Sequence, residues 1–81
     1  MDNQVKKIMA QVFNVPEGEI TDNASPDTIS SWDSLKHVNL VLALEQAFGV
    51  SFEASEIVEM LNYKLILLTL KEKGVEIGGA G

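Results

Sequence analysis

The sequence contains no cysteine and only one histidine, and these absences restrict its chemistry. Without cysteine there is no disulfide framework and no thiolate zinc site, and a single histidine cannot form a histidine-based metal cluster. At 81 residues, the chain is close to the lower size limit for one apolar core and is too small for most self-sufficient enzymes. We therefore expect one small domain that is stabilised by packing and has no metal site.

Basic residues and long hydrophobic runs are also scarce. Six basic residues against twelve acids give a formal net charge of −6, which argues against binding to a phosphate backbone. The most apolar segment, residues 65–70, is far shorter than the roughly 20 residues that a membrane span requires. The first residues lead into no long apolar run, so we expect no secretory or transit signal. These features predict a cytoplasmic protein without a membrane span or a nucleic-acid partner.

Helical periodicity is the main structural signal in the chain. The first predicted helix has an apolar face that comprises Val5, Ile8, Met9 and Val12. It should end near Val15, because Pro16 disfavours the helical conformation in the residue before it. Residues 16–33 contain both prolines of the chain and only isolated apolar residues, which predicts a long loop. Long loops are often functional. The apolar residues that we expect to anchor this loop to the core are Ile20, Ile29 and Trp32.

Three further helices are predicted after the loop. The apolar face of the second comprises Leu35, Val38, Leu42 and Phe48, with Val41 and Leu44 widening it. Gly49 suits the left-handed residue that follows a helix end. Ser55 is expected to cap a short third helix that contains Ile57, Met60 and Leu61. Asn62 is expected to cap the last helix, residues 63–73.

The last helix carries apolar residues on more than one face. Leu65 and Leu68 are therefore either buried in the core or form an exposed ridge, and we expect burial, because buried helices are often apolar all round. The sum is an all-α domain over residues 1–74, with three main helices, a short third helix and a long first loop. A flexible glycine-rich tail is expected over residues 75–81.

Ser34 lies where the long loop meets the second helix. The free N–H groups and positive dipole end of a helix favour an anion at such a position, so a phosphoester would suit it. Without further information, the simpler interpretation is that Asp33 or Ser34 caps the helix. His37, one turn away, could make Ser34 a catalytic nucleophile, but the orienting group and oxyanion donors of a hydrolase are missing. We expect His37 to be a partly solvated helix residue.

The segment Asp33-Ser34-Leu35 resembles the Asp-Ser-Leu motif of acyl carrier proteins. The similarity continues along the second helix, the loop residues 20–25 and the first helix, so it covers nearly all of residues 3–73. The resemblance implies a four-helix acyl-carrier-like bundle in which Ser34 carries 4′-phosphopantetheine from coenzyme A. The thiol of that arm would hold an acyl group as a thioester, and the absence of cysteine in the protein fits this role.

The resemblance also implies what the protein binds. It would be a monomer and not an enzyme, and its partners would be a phosphopantetheinyl transferase and the enzymes that load and transfer the acyl group. The implied partner-docking residues are Asp33, Leu35, Lys36, Asn39 and Phe52. The implied acyl pocket comprises Val38, Leu42, Leu44, Ile57 and Met60, which are equally explicable as ordinary core.

The second helix departs from the pattern of fatty-acid synthase carriers, which usually carry acids along it. The matching positions here hold Lys36, Asn39, Gln46 and Ala47. Loss of these charges should weaken docking on basic partner surfaces, although neutral surface drift would give the same pattern. Trp32 and His37 around the motif resemble stand-alone carriers, so we predict a dedicated carrier for a lipid, polyketide or other specialised pathway.

Two alternative functions stay open. An aminoacyl or peptidyl carrier would use the same arm, but such domains tend to have a small pair of residues before the serine, where this chain has Trp32 and Asp33. A helical protein-interaction module without covalent cargo would explain the periodicity. It would leave the Asp-Ser-Leu segment and its surroundings unexplained.

Overall fold

The computed structural model describes residues 2–75, and the side chains from residue 4 onward. The four α-helices are α1 (Asp2–Phe13), α2 (Ser34–Phe48), α3 (Ala54–Glu59) and α4 (Tyr63–Glu72), and a 3-10 turn covers Glu17–Glu19. No strand occurs in these residues, so the all-α prediction is confirmed. The predicted tail lies outside the described residues except for Val75, and it stays a prediction.

Helix α1 buries the face that its periodicity predicts. Val5, Met9 and Phe13 are almost completely buried, and Ile8 and Val12 pack partly against the same core. The helix ends before the expected residue, because Asn14 adopts a left-handed conformation with φ of 58°. Asparagine tolerates this conformation better than most residues, which makes it a suitable residue to end a helix.

The loop between α1 and α2 is fixed to the core. Its three predicted anchors are buried: Ile20, Ile29 and Trp32. The Ser31 hydroxyl donates to the Phe13 carbonyl over 2.8 Å, and the Trp32 ring stacks on the Phe13 ring with centroids 4.8 Å apart. The Tyr63 backbone N–H donates to the Ala24 carbonyl, which joins the loop to the start of α4. These contacts set where the chain enters α2.

Helix α2 buries only part of its predicted face. The residues expected to face the core, Leu35, Val38 and Leu42, are exposed by 69%, 50% and 52%. The buried face comprises His37, Leu40, Val41 and Leu44, so Val41 and Leu44 lie where the spacing predicts, and Phe48 packs partly against the core. The prediction is wrong for Leu35, Val38 and Leu42, because α2 carries apolar residues around most of its circumference and the spacing fits more than one face. Gly49 adopts the predicted left-handed conformation, with φ of 66°.

Helices α3 and α4 correct two predictions and confirm a third. The residue before α3 is Glu53, whose N–H donates to the Glu56 carboxylate over 2.8 Å, so Ser55 is not the cap. The Asn62 side chain accepts from the Leu65 N–H and caps α4 as predicted. Leu65 and Leu68 are exposed by 38% and 51%, so the expected burial is wrong. A different face of α4 packs against the core, and its buried residues are Tyr63, Ile66, Thr69 and Leu70.

No helix within the described residues is long and apolar enough to cross a membrane.

Candidate functional site

The junction before α2 leaves the Ser34 hydroxyl without a structural role. Asp33 is the N-cap, since its Oδ1 accepts from the Lys36 N–H over 2.8 Å. The first helical hydrogen bond runs from the His37 N–H to the Asp33 carbonyl. Ser34 is exposed, and no hydrogen bond of its hydroxyl is found within residues 2–75. Of the two residues that the sequence offers as a cap, Asp33 fills this role and Ser34 does not.

An open groove of about 470 Å³ lies beside Ser34. The residues that line it come from the loop, α2, α3 and the residues just after α3: Pro26, Trp32, Asp33, Ser34, His37, Val38, Val58 and Leu61. Val38, Val58 and Leu61 are between 47% and 66% exposed, so they offer apolar surface to anything that enters the groove. The groove therefore joins an available hydroxyl to an apolar wall.

His37 lies inside the protein and not at its surface. It is 8% exposed, which makes the expected partial solvation wrong. The Trp32 indole N–H donates to Nδ1 of His37 over 3.0 Å, and Nε2 lies 2.7 Å from the Ile57 carbonyl oxygen. Because both ring nitrogens have partners, neither is available to take a proton from Ser34. This geometry excludes the catalytic Ser34–His37 pair.

Four of the five expected docking residues lie at the surface. Asp33, Leu35 and Asn39 are exposed and Lys36 is half-buried. Phe52 is only 8% exposed and belongs to the core, so its place on a docking surface is wrong.

The five expected acyl-pocket residues do not surround one cavity. Leu44 and Met60 are completely buried, Ile57 packs partly against the core, and Leu42 is exposed. Only Val38 lines the groove. Pro26 and Val58 line the groove although the sequence does not predict this. Leu61, expected in the third helix, lies after its last residue, Glu59, and also lines the groove. The sequence offers one indication for Val58 and Leu61: each is an apolar residue directly after a position that is expected to face the core, Ile57 or Met60.

The carboxylates at the two ends of α2 are already engaged in local structure. Asp33 accepts from the Lys36 N–H, and Glu45 Oε2 accepts from the Phe52 N–H over 2.8 Å. The exposed face of the helix between them presents leucine and valine side chains. Any partner that contacts this face therefore meets apolar surface and little negative charge.

An ion pair helps to fix the position of α3, which forms one side of the groove. Lys73 Nζ lies 2.7 Å from Glu56 Oε1, which links α3 to the residue after α4. The backbone N–H of Glu53 and the side chain of Lys73 together hold the pKa of Glu56 below its ordinary value, because both stabilise the charged carboxylate.

A comparison with known families agrees with this geometry. A family model described as "Phosphopantetheine attachment site" matches residues 3–63, which is more than half of the chain. The match spans α1, the loop, α2, α3 and the first residue of α4. Members of that family carry a covalently attached 4′-phosphopantetheine group, interact with transferases and biosynthetic enzymes, and are not themselves catalysts. The chain belongs to the phosphopantetheine-binding family of carrier proteins.

Proposed function

We propose that Ser34 is the attachment residue and that the protein carries acyl groups for a dedicated biosynthetic pathway. The observation that supports this most directly is the division of roles between Asp33 and Ser34. Asp33 caps α2, so the exposed Ser34 hydroxyl can be modified without loss of a helix-capping hydrogen bond.

The residues around Ser34 fit a phosphopantetheine group. A phosphate on the Ser34 oxygen would lie at the N-terminal end of the 15-residue helix α2, where unpaired N–H groups and the helix dipole favour negative charge. The adjacent groove offers apolar side chains to the rest of the arm. When attached, the arm supplies a terminal thiol that holds the cargo as a thioester.

The apolar wall of the groove supports an acyl cargo over an aminoacyl cargo. Val38, Val58 and Leu61 present hydrocarbon surface there, and a charged amino group would lose hydration against these side chains. The one carboxylate that lines the groove, Asp33, already accepts from the Lys36 N–H as the cap of α2. Trp32 fills the position before Asp33, where aminoacyl carriers tend to have a small residue. The acyl group would then rest in this groove, and the buried side chains of Leu44 and Met60 would only support it from the core.

The exposed face of α2 supports a dedicated partner. Leu35, Val38 and Leu42 form the surface next to Ser34, and we assign to it the contact with the phosphopantetheinyl transferase and with the acyl-loading and acyl-transferring enzymes. Asp33, Lys36 and Asn39 border this surface. A partner with a basic recognition patch would find little to pair with here. The monomeric state and the cytoplasmic location stay predictions of the same proposal.

The attachment is tested by intact mass after incubation with coenzyme A and a phosphopantetheinyl transferase. We expect wild type to gain the mass of one arm and Ser34→Ala to gain none. Ser55→Ala is the matched control, since Ser55 is also an exposed helical serine, and it should gain the arm as wild type does. A wild-type protein that gains no mass, or a Ser34→Ala variant that does, contradicts the proposal.

The cargo is tested on the protein that carries the arm. Acyl donors and aminoacyl donors are offered in parallel with their loading enzymes, and the thioesters formed are measured by mass. We expect acyl loading to exceed aminoacyl loading. The reverse order would assign the chain to aminoacyl or peptidyl carriers.

A further inference from the structure

The only histidine of the chain lies in a buried polar bridge that arm attachment does not require. Its ring joins two segments that are distant in sequence, the loop before α2 and the last turn of α3. Trp32 provides the contact on the loop side, and the Ile57 carbonyl provides the contact on the α3 side.

The partners fix which nitrogen of His37 carries the proton. An indole N–H can only donate, so Nδ1 must accept from Trp32 and must be unprotonated. Nε2 then carries the proton and donates to the Ile57 carbonyl oxygen. Both hydrogen bonds exist together only in the neutral ring with its proton on Nε2.

Helix α3 has few other attachments to the core. None of the residues in Ala54–Glu59 is buried, although Ile57 packs partly against the core and Met60, directly after the helix, is buried. The Glu56–Lys73 ion pair holds only the first half of the helix. In the second half, the Ile57 carbonyl accepts from the Met60 N–H over 3.3 Å and from His37 over 2.7 Å. The hydrogen bond from His37 is thus the shorter of the two that the Ile57 carbonyl accepts. It holds the backbone directly before Val58.

The two segments that His37 joins also line the groove beside Ser34. Trp32 belongs to its loop side, and Val58 directly follows Ile57 on its α3 side. One rigid imidazole ring therefore sets the distance between the loop side and the α3 side of the groove. A change in the length or direction of this bridge would alter the width of the groove.

We propose that His37 is a positioning residue that sets the width of the groove and, through it, the size of acyl group that the groove accepts. Its role in cargo size rests on the proposed function, whereas its role as a bridge does not. The two parts are therefore tested separately.

The bridge is tested on the protein without its arm by nitrogen and proton NMR. We expect the imidazole nitrogens of wild type to report a proton on Nε2 and none on Nδ1. The single indole N–H resonance belongs to Trp32, and it should be shifted downfield and protected from exchange. A wild-type ring with its proton on Nδ1 overturns the proposal, and this measurement needs no variant to fold.

Two variants separate the bridge from simple space filling. His37→Phe keeps a ring but removes both hydrogen bonds, and we expect loss of the indole shift and loss of amide protection at residues 57–61, with α1 unchanged. His37→Gln keeps a donor and an acceptor on one side chain and should restore part of both signals. Retention of both signals in His37→Phe overturns the proposal, as does an equal loss in the two variants.

The effect on cargo is tested on protein that carries the arm and a series of acyl groups of increasing length. Spontaneous hydrolysis of the thioester is compared in wild type and in both variants. We expect protection from hydrolysis to depend on chain length in wild type, and this dependence to be lost in His37→Phe and regained in His37→Gln. The same chain-length dependence in all three proteins overturns the role in cargo size. Failure of Ser34 to accept the arm would instead contradict the proposed function and leave the NMR result standing.

Discussion

The first part of the described chain, residues 4–33, and the second part, residues 34–75, treat their apolar residues differently. The first part exposes no large hydrophobic side chain, and its loop presents acids to solvent: Glu17, Glu19, Asp22 and Asp27. The second part exposes seven large hydrophobic side chains, all on or between α2, α3 and α4: Leu35, Val38, Leu42, Val58, Leu61, Leu65 and Leu68. The difference separates apolar residues that stabilise the fold from apolar residues that are available for contact.

This contrast predicts that substitutions in the two parts have opposite consequences. Truncation of an apolar residue in the first part should lower stability, whereas truncation of an exposed residue in the second part should lower binding and leave stability unchanged.

The largest effect is expected for Phe13→Ala. Phe13 is 1% exposed and stacks on Trp32, so truncation should cost about 3–5 kcal/mol of unfolding free energy. Leu42→Ala, at a 52% exposed position, should change it by about 0.5 kcal/mol or less. Urea denaturation followed by circular dichroism measures both. Equal losses in the two variants would remove the distinction between the two parts of the chain.

Leu35→Ala should affect binding without affecting the fold. We expect kcat/KM of the phosphopantetheinyl transferase to fall roughly 5- to 30-fold, which corresponds to the loss of a contact worth about 1–2 kcal/mol. The urea midpoint should stay that of wild type, because Leu35 is 69% exposed. Leu68→Ala is the control, since Leu68 is also an exposed leucine but lies on α4, away from the start of α2 in the chain. A transferase rate unaffected by Leu35→Ala would remove this residue from the docking surface.

Asp33→Ala should lower stability by about 1 kcal/mol, because the Lys36 N–H loses its acceptor at the start of α2. Asp33→Asn keeps an oxygen that can accept and should retain most of that contribution. Asp27→Ala in the acidic loop is the matched control, and it should leave the urea midpoint unchanged. If Asp33→Asn is as destabilised as Asp33→Ala, charge and not capping explains the effect.

The smallest effect concerns the ion pair of α3. The folded-state pKa of Glu56 is lowered relative to the unfolded chain, so its contribution to stability is present above the unfolded pKa and is lost as pH falls through the folded pKa. Glu56→Gln should therefore be less stable than wild type at neutral pH and equally stable in acid. Urea midpoints across this pH range measure the convergence. Glu59→Gln, which removes an acid outside any ion pair in the described chain, should show no such trend.

The parts of the fold that the sequence predicts well depend on local patterns. The apolar spacing of α1, the left-handed Gly49 and the Asn62 cap each follow from a few neighbouring residues. The face of α2 follows only in part, because its orientation also depends on burying His37, a polar residue that a hydrophobic pattern excludes from the core. Leu65 and Leu68 are misassigned for a different reason, since nothing local distinguishes an apolar residue that packs from one that stays exposed.

The candidate site divides in the same way. Ser34 follows from the resemblance of the segment around it. Local chemistry offers Asp33 or Ser34 as the cap, and only the structure assigns the cap to Asp33. The groove depends on the position of α3, and that position is set partly by a bond from His37 to a backbone carbonyl. A backbone acceptor leaves no signature in the sequence, so Val58 and Leu61 could not be assigned to the groove in advance.

Trp32 is an anchor of the loop, a partner of His37 and part of the groove wall, and it is the only tryptophan in the chain. Indole fluorescence depends on the polarity around the ring, so an acyl group that displaces water from the groove should change the emission of this one residue. The protein thus contains an intrinsic fluorophore at the place where its cargo is proposed to rest. Loading and unloading could be followed in real time without a label.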